Sequence, residues 1–474
     1  MMLDRIDAAL NAILHAMWNW PMIVLLLGTG IYLTIRLRLI QASGIFHAVD
    51  LLTGRYDNRE DAGAITHFQA LSAALSGTIG LGNIAGVAFA MSKGGPGALF
   101  WMWITALFGM AIKYASCMLG LKFRKVHEDG RISGGPMYYI EYGLGKKYKP
   151  LAYAFALFAI ISSFGAANML QSHEAAATLN NTFGVPEILT GLVIAFFVFL
   201  VIIGGIKRIG KVASRLVPLM CVIYVLGACA IIILKAENIP YAFGLIFRGA
   251  FCGTAVAGGM IGYTIKMALE HGVRRALQSN EAGQGSAPMA HAAARTTEPV
   301  REGLVAMIGP FIDTIVVCTM TGLVLICSGT FDNPVIWGEG GRLVYEGAEI
   351  TAMAFGSVLT FKGIPVGEYI VIASIVLFAY STLLTWSYYG EQCAEYLFQS
   401  KRAVLPYKAV FVVFVVIGSV WKLDAIFSFS DVANGLMAAP NLVALFGLSG
   451  LVVKMTKDYI GRLRERDPSV RRLR

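Results

Sequence analysis

The stretch SGTIGLGNIAG, residues 76–86, sets four glycines (Gly77, Gly80, Gly82 and Gly86) inside a long apolar run. Two kinds of structure use such a stretch. A glycine-rich turn between a strand and a helix cradles phosphate groups. A membrane helix broken at mid-depth offers its freed backbone groups to a ligand. GLGNIAG has the outline of a dinucleotide fingerprint, but that fingerprint needs a preceding strand and an acidic residue about 20 positions on. The flanks here are ALSAALS and VAFAMS, neither of them β-branched, and no acidic residue follows until Glu128.

The rest of the chain decides for the membrane. Of its 474 residues 57% are hydrophobic and only 14% charged, with a mean hydropathy of +0.66. Soluble domains carry about a quarter charged residues. The apolar residues come in blocks long enough to cross a bilayer as helices. Eleven spans are expected, near 18–38, 65–92, 98–121, 150–172, 187–203, 214–234, 246–270, 303–328, 368–395, 407–421 and 433–453. The class is an all-α polytopic membrane protein. The opening MMLDRIDAALNAILHAMW is amphipathic and lacks the basic leader and small-residue site of a cleavable signal.

Basic residues favour the cytoplasmic side of a membrane protein. With the N-terminus outside and the C-terminus inside, the loops assigned to the inside hold 30 Lys and Arg and the outside segments 7. The net charge of +10 therefore sits beside the membrane, which argues against a nucleic-acid partner. The tail RLRERDPSVRRLR is expected near anionic headgroups. The seven cysteines form no C-x-x-C pair and read as small packing residues, and no metal-ligand cluster appears.

Glycines in a membrane helix also serve close helix packing. Here they crowd the middle of the span, where breakage is most costly, and Asn83 stands beside them. A break there frees N–H groups that can hold a carboxylate and carbonyls that can hold a cation. A matching segment is expected in the other half of the chain, and FCGTAVAGGMIGYT (251–264) supplies one, with Gly253, Gly258, Gly259 and Gly262. With the first span set aside, ten remain as five plus five, each half led by a glycine-rich span. An odd number per half makes the halves inverted. The expected units are an N-terminal helix and linker (1–64), two five-helix repeats (65–235 and 236–453) and a basic tail (454–474).

Four stretches resemble the alanine or glycine:cation symporters, the sodium:alanine symporter family. They are GTIGLGNIAGVAFAMSKGGPGALFWMWITALFGMAIKY, SGGPMYYIEYGLGKKY, SNEAGQGSAPMAHAAARTTEPVREGLVAMIGPFIDTIVVCTMTGL and FAYSTLLTWSYYGEQC. The resemblance covers nearly the whole chain. It implies the LeuT-like 5+5 inverted repeat plus one extra N-terminal helix, in the plasma (inner) membrane. It also implies sodium-coupled uptake of small neutral amino acids, alanine and glycine foremost, by alternating access. No cofactor, catalytic residue or obligate protein partner is implied beyond substrate, sodium and the lipid bilayer.

The resemblance also assigns residues. The amides of Leu81 and Gly82 face the substrate carboxylate, and Thr78 and Gly80 lie near the α-carbon and amino group, with Asn83 beside them. The sixth core helix supplies Gly259 and Met260. On the eighth, Thr382 and Trp386 share a face at i, i+4, and Trp386 caps the side chain. Asn168 and Gln171 add a polar face from the third. Sodium falls to the carbonyls of Ser76 and Ile79 with the hydroxyls of Ser381 and Thr382. Asp313 reads as structural or gating, and SNEAGQGSAP (279–288) as a packed loop at the inner gate, with no chemical role for Glu281. Leu81, Ser116, His173, Gln284 and Thr385 depart from common family residues; Leu81 and Thr385 bear on substrate choice, whereas Ser116 and Gln284 read as peripheral. The competing readings are a proton-coupled carrier of another small amino acid and an amino acid sensor that carries no flux. No Ser-His-Asp set or H-E-x-x-H supports an enzyme.

Overall fold

The computed structural model describes residues 12–466 apart from 15, 19, 59, 253–263, 332, 334–346 and 422. Among the described residues eight helices are long and apolar enough to cross a membrane. The pair His67–Thr78 and Gly82–Gly94, bent by 53°, makes a ninth span. Of the other two expected spans, 187–203 is a shorter apolar helix, Glu187–Ile202.

The last expected span, 246–270, includes residues 253–263 and so lies partly outside the described residues. In chain order the helices that matter for the site are α1 (Pro21–Arg36), α2 (His67–Thr78), α3 (Val87–Gly94) and α4 (Gly97–Lys122). They continue with α5 (Lys149–Phe164), α6 (Leu170–Phe183), α7 (Glu187–Ile202), α8 (Gly205–Leu234) and α9 (Ile239–Phe251). Then come α10 (Ile265–Asn280), α11 (Ala287–His291), α12 (Pro299–Pro310), α13 (Thr319–Cys327), α14 (Ala348–Val358), α15 (Val366–Phe398), α16 (Val404–Val420) and α17 (Leu423–Arg466). The expected second glycine segment lies almost wholly outside the described residues. Among the described residues this half has a break between α10 and α11. Residues 271–280, read from sequence as the start of an inner loop, are the body of α10.

The course of α10 follows from its neighbours. Its first turns lie against the end of α3, where a Cβ on Gly94 would stand 3.0 Å from the His271 Cβ and from the Met267 carbonyl. Its last turn reaches the break in the other helix, where a Cβ on Gly82 would stand 3.0 Å from the Ser279 Cα. Beyond α11, Ala64 donates to the Ala293 carbonyl and Arg295 to that of Ile65, beside the start of α2. The two interrupted helices therefore run antiparallel, with their breaks side by side. One end of the bundle carries Lys93, the other His67.

Each break has a local cause. α2 opens on a capping box, in which Thr66 Oγ1 accepts from the Gln69 amide and Gln69 Oε1 from the Thr66 amide. It ends where Ile79 turns extended (φ −74°, ψ 94°). A wide π turn, Gly82–Gly86, then leads into α3; such turns concentrate at functional sites. After α10, Glu281 is left-handed (φ 55°) and Gly283 and Gly285 have φ of 104° and 86°. Gly283 is fixed twice over, because a Cβ there would also stand 2.6 Å from Leu26.

α10 carries polar residues into the bundle because other helices satisfy them. Arg274 and Arg275 both pair with Asp431 of α17, at 2.9 Å from Arg274 Nε and 2.8 Å from Arg275 Nη2. All three groups are almost fully buried. Two of the thirty basic residues assigned to inside loops thus belong to this cluster. α4, the most enclosed of the long helices, packs against both α10 and α12. At the His67 end a two-stranded antiparallel hairpin, Lys125–Val126 with Ile132–Ser133, straps α15 through an Arg131–Glu395 ion pair of 2.8 Å. Arg131 also hydrogen-bonds the exposed Asp129 carboxyl and holds it at about 2.

Losing the shared carboxylate leaves two buried guanidiniums uncompensated. Asp431→Asn is expected to destabilise the fold by about 3–5 kcal/mol, and Arg274→Met/Arg275→Met/Asp431→Leu to recover most of it. Denaturation of the detergent-purified proteins measures both; an Asp431→Asn protein as stable as wild type would contradict the reading.

Candidate functional site

The two breaks enclose a small cavity, in which about 30 Å³ is open to the centre of a water molecule. Of the residues expected at a substrate, Thr78, Gly80, Gly82, Gln171, Thr382 and Trp386 line it. Gly80 is needed for close approach, since a Cβ there would stand 2.8 Å from Thr382 Oγ1. The peptide of Leu81 and Gly82 opens the second half of the broken helix, where N–H groups lack a helical partner four residues back. The Leu81 side chain is buried outside the cavity.

Other expected residues are turned elsewhere. Asn83 does not line the cavity. Its Oδ1 accepts from the Gly80 amide at 2.9 Å, and its Nδ2 donates to Asp313 Oδ1 at 2.7 Å and to Ser279 Oγ at 3.2 Å. It locks the break instead of facing a ligand. Asn168 sits in a second π turn, Gly165–Met169, and donates to the Phe411 carbonyl of α16 at 2.8 Å. Gly259 and Met260 lie outside the described residues. Asp313 is fully buried and accepts from Asn83, Ser279 and Thr314, a junction of three elements.

Three of the residues assigned to sodium, Ser76, Ser381 and Thr382, meet beside the cavity. Ser381 Oγ and Thr382 Oγ1 each donate to the Ser76 carbonyl at 3.2 Å, and Ser76 Oγ donates to the Ser381 carbonyl at 2.6 Å. Ile79, extended and fully buried, carries its carbonyl out of the helical ladder one turn on. All are hard oxygen donors, the kind that broken membrane helices present to sodium.

The cavity also has a wall that sequence reasoning missed. Gln278, Glu281 and Gln284 come from α10 and its break, Ala166 and Ala167 from the π turn after α5, and Asn434 from α17. Glu281 is the one carboxylate among these lining residues, and none of them is basic. It is 3% exposed. Trp386 Nε1 donates to its Oε1 at 2.7 Å, and Ser286 donates to Oε2. Nearby Lys113 donates to the Asn280 carbonyl at 2.9 Å. Gln284, read as peripheral, lines the cavity; its Nε2 donates to the Leu277 carbonyl, and its Oε1 has no partner. Gln171 Oε1 is likewise unpartnered. Of the other departures, Thr385 Oγ1 donates to the Ala73 carbonyl at 2.9 Å and Ser116 Oγ to that of Lys113 at 3.1 Å. His173 Nδ1 is buried without a hydrogen-bond partner. The clue to this wall was NEAGQG, an acidic residue followed by G-x-G between polar amides. It read as a loop because the hydropathy fails there.

Among the described residues a polar cluster stands between the cavity and each end of the bundle. Towards Lys93 stands the Arg274–Arg275–Asp431 cluster, with the Arg275 guanidinium 4.5 Å from the Phe89 ring and bonded to Gln278 in the cavity wall. Towards His67, Asn441 of α17 donates to the Gly283 carbonyl at 2.8 Å. Farther on, Arg124 donates to four carbonyls, those of Ala62, Ala292, Ala294 and Thr296. His67 and His291 both bond the buried Glu302.

Antiparallel interrupted helices around a central cavity are the mark of the LeuT-like fold. A solved structure bears this out: MhsT in complex with L-phenylalanine aligns with a TM-score of 0.58 over 84% of this chain and 99% of that one, at 13% identity. The sodium:alanine symporter family matches residues 3–472, and the chain belongs to that family. The sodium/alanine symporter AgcS of Methanococcus maripaludis is 46% identical over 454 residues, 95% of this chain and 96% of that protein. An uncharacterized transporter of Haemophilus influenzae is 43% identical over 460 residues, 97% of each. The family is one of transporters, not enzymes.

The close approach at Gly80 gives a direct check. Gly80→Ala drives a methyl group against Thr382 Oγ1 and displaces it from the Ser76 carbonyl. Transport is expected to fall at least tenfold, about 1.4 kcal/mol or more. Gly244→Ala, where a Cβ meets nothing within 4 Å, is the control and should transport as wild type. Equal uptake by both variants would contradict the packing.

Proposed function

We propose that this symporter imports small neutral amino acids, alanine and glycine foremost, together with sodium. The observation that carries the reading is the cavity itself, with one carboxylate, no basic lining side chain, and the Ser76, Ser381 and Thr382 oxygens beside it. A zwitterion placed there sets its carboxylate on the amides of Leu81 and Gly82, at the positive end of a helix. Its ammonium faces Glu281, Thr78 and the unpartnered oxygens of Gln171 and Gln284. Trp386 closes over the side chain, and the small volume excludes a large one. The 46% identity with a sodium/alanine symporter supports alanine. Thr382 belongs to both sets, so ion and substrate share one wall.

Transport then alternates between opening the Arg274–Arg275–Asp431 closure and opening the one at the His67 end. The excess of basic residues in the loops supports an orientation with the His67 end in the cytoplasm, the N-terminus outside and the C-terminus inside, and even without Arg274 and Arg275 that bias persists.

Purified protein in liposomes is expected to accumulate alanine only with an inward sodium gradient. Uptake unchanged in potassium or choline would overturn sodium coupling, and collapse by a protonophore at fixed sodium would favour protons. Glu281→Gln is expected to weaken alanine's apparent affinity at least tenfold, since a hydrogen bond to a charged group is worth about 1.5–3 kcal/mol. Unchanged affinity would remove Glu281 from the ammonium site. Trp386→Ala should admit larger side chains or abolish binding; an unchanged ranking of substrates would place Trp386 outside the filter.

A further inference from the structure

A second and larger cavity, of about 590 Å³, lies where α1 ends against the last turns of α17. Four basic side chains line it, Arg36 and Arg38 from one side and Lys457 and Arg464 from the other, and no carboxylate does. Asp458 and Glu465 are on the same stretch of α17 but outside the lining. Among the described residues no acidic group pairs with Arg36, Arg38 or Lys457. Arg36 Nη1 is held by neutral oxygens only, Tyr32 OH at 2.8 Å and Ser449 Oγ at 3.0 Å, so its charge stays uncompensated.

The rest of the lining is mostly apolar: Leu37, Leu39, Val453 and Ile460, with Thr456 and Gly461. The chain turns out of α1 through two left-handed residues, Arg38 (φ 53°) and Leu39 (φ 60°). Above the Arg36–Ser449 contact, the Tyr32 and Phe446 rings stack at 4.5 Å. Ile35 is 71% exposed and Phe446 56% exposed on helices that face the bilayer. The cavity is thus basic at the end of two spans, and the same two helices carry exposed apolar side chains beyond it. That pairing of charge and grease matches a phosphate headgroup with acyl chains attached.

We propose that this groove binds an anionic phospholipid, the phosphate held by Arg36, Arg38, Lys457 and Arg464 and an acyl chain lying along Ile35 and the Tyr32–Phe446 stack. The assignment concerns a surface remote from the transport cavity and does not depend on the substrate or the coupling ion.

The test uses the full chain in nanodiscs, with a photoreactive phosphatidylglycerol beside a photoreactive phosphatidylcholine of the same chains. Phosphatidylglycerol is expected to label peptides containing residues 36–39 and 453–464 in preference to phosphatidylcholine. Arg38→Gln/Lys457→Gln/Arg464→Gln is expected to lower that labelling at least tenfold, three charges each being worth several-fold near a membrane surface. Lys122→Gln/Lys125→Gln/Lys146→Gln, with the same change in net charge, should leave it as in wild type. Equal labelling by the two lipids, or a groove variant that labels like the control variant, would overturn the proposal. Protection of the same peptides by inorganic phosphate as complete as that by phosphatidylglycerol vesicles would also overturn it, marking a phosphate site instead.

Discussion

A peptide group left bare in hydrocarbon costs several kcal/mol, and this chain interrupts two helices in the middle of its bundle. The side chains around the breaks are chosen to meet that cost. Asn83 does most at the first. Its oxygen takes the Gly80 amide, and its nitrogen reaches Asp313 and Ser279, so one residue ties the broken helix to the end of α10 and to the π segment after α12. Thr321 closes on the Asn83 carbonyl at 2.8 Å. At the second break Asn280 accepts from the Ala282 amide, Gln284 covers the Leu277 carbonyl, Asn441 covers that of Gly283, and Lys113 covers that of Asn280. Amide side chains recur because each carries a donor and an acceptor and adds no charge. Two amide oxygens left without a partner, those of Gln171 and Gln284, border the cavity.

The legibility of this arrangement in the sequence followed the same chemistry. The first break was readable because its flanks are apolar: a run of ALSAALS and VAFAMS around four glycines leaves the interruption as the only irregularity. The break after α10 was not readable because α10, IKMALEHGVRRALQSN, is among the least apolar of the long helices and yet largely buried. Hydropathy scores residues one at a time, whereas Arg274 and Arg275 become tolerable only through Asp431, about 156 residues away in sequence. Once α10 was read as a loop, Glu281 and Gln284 were placed at a gate instead of in the cavity. On α15 the i, i+4 spacing put Thr382 and Trp386 on one face, the resemblance turned that face to the pocket, and both line the cavity. On the third core helix the π turn at Gly165–Met169 shifts the register, so Gln171 reaches the cavity and Asn168, three residues earlier, bonds α16 instead.

The two closures differ in chemistry but share a property that suits moving parts. The one at the Lys93 end gathers two guanidiniums on one buried carboxylate. Separating them loses a strong attraction, but each charge then regains its hydration, and the two nearly offset. The one at the His67 end is made of many hydrogen bonds from Arg124, Asn441 and the His67–Glu302–His291 set, each exchangeable for a bond to water at about 0.5–1.5 kcal/mol net. Groups of this kind regain hydrogen bonds to water when they part, as buried apolar faces do not. In the proposed cycle that keeps the two open forms and the closed form within reach of one another. The balance among them is then set by what occupies the cavity, because a ligand shifts such an equilibrium only by its difference in affinity between the states. In the proposed reading Thr382 supplies that difference. It touches both the Gly80 turn and the Ser76 carbonyl, so an ion drawn to one side of its hydroxyl and a substrate packed on the other stabilise the same closed geometry together.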